Sequence, residues 1–145
     1  MCLITNNKLE IQTTKKDLVV YKVMCHNIEN LILSPYQFTE YEIGVEVITE
    51  LDEMQMCQRN GLFFPITTIL DSVPQSQRLY RSEQGLYSFR KKKHARILKT
   101  ELNLNVGGAK HKIYKCIVPK GSHYITDGTQ FISDRLILKR KCIIQ

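Results

Sequence analysis

The chain has 145 residues, 43% hydrophobic and 24% charged, an ordinary soluble composition and long enough to bury a core without disulfides or metal. It reads as one domain, 1–145. No stretch approaches the roughly 20 apolar residues of a membrane span, and MCLITNNKLE lacks the basic-then-apolar pattern of a secretory signal, so a cytoplasmic protein without membrane attachment is expected. The net charge of +7 is uneven: residues 1–75 carry five Lys or Arg against ten Asp or Glu, a net −5, and residues 76–145 carry sixteen against four, a net +12. Such asymmetry suggests an anionic partner, unless folding mixes the two halves into one mildly basic surface.

In chain order, DLVVYKVM (17–24) is rich in β-branched and aromatic residues and reads as a central strand. SPYQFTEY (34–41) reads as a loop. EIGVEVITEL (42–51) alternates as a half-buried strand, with Ile43, Val45 and Val47 inward. DEMQMCQRNG (52–61) suggests a short helical turn, and FFPITTILDSV (63–73) an edge strand or irregular packed segment, because of its proline. SVPQSQRLYRSEQG (72–85) reads as a surface connection and GLYSF (85–89) as an extended piece leading into a helix over about 88–102. Beyond the Gly107-Gly108 turn, HKIYKCIVP (111–119) is a strand. KGSHYITDGTQ (120–130) reverses the chain, and FISDRLILKRKCII (131–144) supplies one or two final strands. The sum is an α+β domain, mostly antiparallel sheet with one main helix.

That helix opens on SFRKKKHARILK, with six Lys or Arg and one His in twelve residues. Ser88 is a plausible N-cap. Ala95, Leu98 and Leu102 form the packing stripe, Lys92, Arg96 and Lys99 lie opposite, and Lys91 covers the core with its stem. A charged face opposite an apolar one is what any surface helix shows. The first turn, however, places Arg90, Lys91, Lys92 and Lys93 on the positive end of the helix dipole, where acids are favoured by about 0.3–1 kcal/mol each. A bound anion resolves that conflict. His111 and Lys112 beyond the next turn, and Lys120 with Tyr124 near Gly121, extend the candidate ligand-binding set. For Tyr124 a plain hairpin turn with the ring packed inward is the favoured reading.

No catalytic or cofactor motif is present: neither G-x-S-x-G, P-loop nor dinucleotide fingerprint. The five cysteines are scattered with no C-x-x-C pair, so they read as buried thiols and no metal site is expected. Cys2 fits an apolar strand start better than an N-terminal nucleophile.

MCLIT, DLVVYKV, SPYQF with YEIG, GLYSF with Ala95, YKCIVPKGSHYI and SDRLIL together resemble a group of small uncharacterised proteins from gut Bacteroidetes and their phages. The chain departs from that group at Tyr87, where His is frequent, and in its basic, not acidic, early helix. VYKV, GLYSF and IVPKGSHYI are also similar to the ADP-ribosyltransferase-like fold. That resemblance implies a nucleotide cleft marked by Tyr87. Its catalytic Glu has no counterpart, because no Glu follows Glu101 and only Asp127 and Asp134 remain. The expectation is therefore a non-enzymatic domain, without cofactor, that binds a nucleotide or nucleotide-like signal at Tyr87, Ser88, Arg90, Lys91, Lys92, Lys93, Arg96, His111, Lys112, Lys120 and Tyr124. A phage setting would make it an anti-defence sequestering protein. The alternatives are a nucleic-acid-binding accessory protein and a divergent ADP-ribosyl-transferring enzyme.

Overall fold

The computed structural model describes residues 3–26, 29, 31–35, 39–57, 78–82, 84–105 and 110–144. Its strands are β1 (Ile4–Thr5), β2 (Gln12–Thr13), β3 (Leu18–His26), β4 (Ile32–Leu33), β5 (Glu40–Tyr41), β6 (Glu46–Ile48), β7 (Gln55–Cys57), β8 (Leu79–Arg81), β9 (Leu86–Phe89), β10 (Lys110–Val118), β11 (His123–Thr126), β12 (Gln130–Ser133) and β13 (Arg135–Lys141). The helix α1 spans Lys92–Asn105. Among the described residues no helix is long and apolar enough to cross a membrane. The α+β reading, mostly antiparallel with one main helix, holds for these residues.

The main sheet runs β2-β11-β12-β9-β3-β10-β13-β6, with β4 and β5 attached beside β3, and β1-β8-β7 form a smaller sheet. Its spine is the pairing of β3 with β10, nine consecutive positions from Lys110↔His26 to Val118↔Leu18. Side chains alternate along both strands. One face carries Val23 and Ile113, which with Phe89 pack against Ala95, Leu98 and Leu102 of α1. The other carries Val20, Met24, Tyr114, Cys116 and Val118. These meet Leu86 and Phe131 from one side of the sheet and Leu136 and Leu138 from the other, so the sheet curls around this cluster. A third cluster joins Leu3, Met54, Met56 and Tyr80 of the small sheet and its approaches to Ile125 and Ile132.

Several expectations change. Ser88 is not an N-cap: it pairs with Phe131 in the β9–β12 ladder, is buried, and its hydroxyl donates to the Phe131 carbonyl at 3.3 Å. The ladder continues to Phe89, so the helix starts at Lys92 and runs to Asn105 instead of 88–102. The Lys91 carbonyl accepts from the His94 N–H at 3.2 Å, and the Lys91 side chain is exposed, so its stem does not cover the core. Ile43 and Val45 are exposed: the regular ladder with β13 covers only Glu46–Ile48, and Ile43 adds a single parallel bridge to Leu138. Gln55–Cys57 is a strand, not a helical turn, since Met56 pairs with Tyr80. The expected surface connection contains β8 for the same reason. The 63–73 segment, Gly107-Gly108 and Cys2 lie outside the described residues. Cys25 and Cys116 are buried thiols.

Gly85 opens β9 with φ 124°, a backbone conformation that L side chains rarely adopt. A Cβ there would overlap Ile132 Cγ2 and come within 3.1 Å of Leu51 Cδ1. Ile132 is fully buried and β-branched, so it cannot turn away. Gly85→Ala is expected to destabilise the protein by about 2–4 kcal/mol, combining backbone strain with overpacking, as read from urea unfolding midpoints.

Candidate functional site

The paired spine sorts the cations. Tyr21 and Lys115 are register partners on the helix face of β3 and β10. On β13 the pairing runs Cys116↔Leu138 and then Lys115↔Arg140, so Lys139 is an extra, unpaired residue, a bulge. Bulges re-aim side chains. Simple alternation from Leu136 and Leu138 would put Arg140 on the Leu138 face, but the bulge brings it beside Lys115 on the helix side. Lys92, the first residue of α1, reaches the same place. The result is an open cavity of about 300 Å³ lined by Tyr21, Lys92, Lys115, Arg140 and Lys141, with Cys142, Ile143 and Ile144 along its edge. Among the described residues no Asp or Glu lines it.

This arrangement is electrostatically costly. Like charges directly opposite across an antiparallel pair are destabilising, and Lys115 and Arg140 are such a pair. Lys92 adds a cation at the positive end of α1, whose first turn has no acidic residue. The field extends along the helix: the Lys99 ammonium is held below its ordinary value by partial burial and by Lys112, Arg96 and Lys92.

The residues singled out from the sequence separate. Lys92 lines the cavity. Lys93 and Arg96 are exposed on α1. Arg90 is tied down, donating to the Val19 carbonyl at 2.9 Å. His111 is buried and docks the far end of α1, its Nδ1 lying 3.1 Å from Asn103 Oδ1, and burial lowers its pKa. Lys112 pairs with Met24 and its charge helps depress His26. Lys120 lies in the Gly121 turn, its N–H donating to Asp17 Oδ1 at 2.7 Å. Tyr124 stacks on Phe131 with ring centroids 4.6 Å apart and donates to Gln12 Oε1 at 2.8 Å, so it is a packing residue. Tyr87 donates from its hydroxyl to the Ser82 carbonyl at 3.1 Å. Asp134 accepts from His123, and Asp127 accepts the Thr129 and Gln130 N–H groups, so both acids are engaged in turns.

Tyr21, Lys115, Arg140 and Lys141 do not stand out as one site in the sequence, because only strand register joins them. Lys22 was hidden too, inside the apolar run LVVYKVMC. It is 6% exposed, and its Nζ donates to the Tyr87 carbonyl at 2.5 Å. Burial lowers its pKa to about 8, an effect that neighbouring Cys116 opposes.

No family model matches the chain, and no characterised protein or solved structure shows significant similarity to it.

A buried ammonium with no carboxylate partner among the described residues destabilises the fold. Lys22→Met is expected to raise stability by roughly 2–3 kcal/mol near pH 7. Between about 8 and 10.5 the unfolded chain holds a proton on Lys22 that the folded chain does not, so wild-type stability rises there relative to the variant and the gap narrows. Above about pH 9 the raised pKa values of Cys116 and Tyr41 act in the opposite direction in both proteins. Paired urea unfolding across this range checks the difference.

Proposed function

We propose that the chain is a small binding module for an anionic ligand of the nucleotide class, seated in the cavity between the start of α1 and the β10–β13 bulge. The observation that carries this reading is the direct Lys115–Arg140 opposition, with Lys92 and Lys141 around the same space and no acid to balance them. Phosphate oxygens would relieve the repulsion and take charge-assisted hydrogen bonds from Lys and Arg together. Tyr21 supplies an aromatic wall on which a base can stack. A volume near 300 Å³ lies at the lower end of the range for small-molecule sites. The chemistry needed is capture, not turnover, since Asp127 and Asp134 are engaged in turns. Sequestration of a nucleotide signal, as in phage anti-defence, is the role such capture fits.

The competing readings, a nucleic-acid-binding surface and a divergent ADP-ribosyl-transferring enzyme, are outcomes of the same experiment. Thermal unfolding is followed with mono-, di- and cyclic nucleotides, ADP-ribose and short DNA at low and high salt. A specific pocket gives stabilisation by one small nucleotide that survives high salt. Stabilisation by DNA alone, collapsing with salt, assigns the cations to a backbone-binding surface. Release of nicotinamide from NAD by the purified protein would overturn the non-catalytic reading.

Lys115→Glu separates stability from function. It replaces a like-charge pair with an opposite-charge pair and is expected to stabilise the unliganded protein by about 0.2–1 kcal/mol. The same change should weaken nucleotide binding by more than about tenfold, through loss of one charge-assisted contact and gain of repulsion. Calorimetric titration together with urea unfolding reads both effects.

A further inference from the structure

Lys22 stands where the sheet comes apart. β3 and β9 share one paired position, Tyr21↔Phe89. Beyond it the strands separate, and the Lys22 Nζ spans the gap to the Tyr87 carbonyl. A cleft opens there, walled by Val23, Leu86, Phe89 and Leu98, with Lys22, Ser34, Tyr41 and Tyr87 as polar lining residues. It shares no lining residue with the basic cavity, although Phe89 and Leu98 belong to the helix side of the sheet.

The polar side chains lining this cleft are all able to donate. The Lys22 ammonium carries three protons, and the Tyr87 carbonyl takes one. Ser34 Oγ accepts from the Thr39 N–H at 3.0 Å, which leaves its own proton to give. The Tyr41 ring lies 5.7 Å from Lys22 Nζ, and burial pushes the Tyr41 hydroxyl up to about 12, so it stays protonated. Cys116 is likewise a neutral thiol and donates to the Tyr114 carbonyl. Among the described residues no carboxylate lines the cleft. A buried cation surrounded by donors and apolar walls calls for an anionic acceptor on an apolar body. The cleft's volume, about 40 Å³, has room for a planar carboxylate, and most of its lining is apolar.

We propose that this cleft is a second binding site, taking a small carboxylic acid whose carboxylate accepts from Lys22 and Ser34 and whose apolar body rests on Leu86, Phe89 and Leu98. The proposal is independent of the nucleotide reading, which concerns a cavity with no lining residue in common.

Calorimetry or amide NMR titration with benzoate and hexanoate tests it, with benzyl alcohol and hexanol as neutral counterparts. Wild-type protein is expected to bind at least one acid saturably, with the matching alcohol weaker by about tenfold or more. Lys22→Met should lose the acid by a similar factor while keeping the wild-type amide dispersion, which shows that the variant is folded. Lys22→Gln, close to lysine in length, serves as the second variant. Lys115→Glu should bind the acid as wild type does. The proposal fails if neither acid binds, if the alcohols bind as well as the acids, if both Lys22 variants retain the acid, or if Lys115→Glu loses it.

Discussion

The nine-position pairing of β3 with β10 decides on which face of the sheet each consequential side chain lies. It sends Tyr21, Val23, Ile113 and Lys115 toward α1, and Lys22, Met24, Tyr114 and Cys116 to the other side. A slip of one residue would exchange the two sets and place Tyr21 and Lys115 in the core. Apolar burial on both faces, in the clusters around Ile113 and around Tyr114, makes such a slip prohibitive. The positions of both cavities follow from this one register.

Two local departures from regular pairing then create the spaces. Lys139 is the extra residue that turns Arg140 onto the helix face beside Lys115. The parting of β3 from β9 beyond Tyr21↔Phe89 leaves a gap that Lys22 spans. Each departure also concentrates unfavourable electrostatics: like charges directly opposed in one case, an uncompensated buried ammonium in the other. Stability alone selects against both, and on that ground a ligand of opposite charge is proposed at each. The surface cations elsewhere are ordinary by comparison. Lys93 and Arg96 stand in solvent, and Arg90 and the Lys120 backbone make structural hydrogen bonds.

Much of the fold was legible because its longest elements carry strong local patterns. LVVYKVM and HKIYKCIV announce strands through β-branched and aromatic density, and Ala95, Leu98 and Leu102 announce the buried stripe of a helix. The start of that helix was misplaced because Ser88 has the chemistry of a cap, while its place is fixed by pairing with Phe131, a contact between residues far apart in sequence. Ile43 and Val45 follow the alternation of a half-buried strand, yet little of that segment pairs. The candidate site was half visible. The anomaly of a cationic helix start led to Lys92, whereas Tyr21, Lys115 and Arg140 are gathered by register and a bulge that no local pattern encodes. His111 and Tyr124 looked functional by type and here make structural contacts, with Asn103 and with Gln12 and Phe131, because a ring nitrogen or a phenol serves equally well to satisfy a neighbour.

The most direct test of the account is an amide NMR titration of the protein with ADP, first at low and then at high salt. Binding in the basic cavity predicts saturable shifts gathered at Tyr21, Lys92, Lys115 and residues 140–142, persisting when salt is raised. Shifts centred on the Lys120–Tyr124 turn, or spread evenly over exposed lysines and abolished by salt, would contradict it and return the charges of α1 to the role of a solvated helix face.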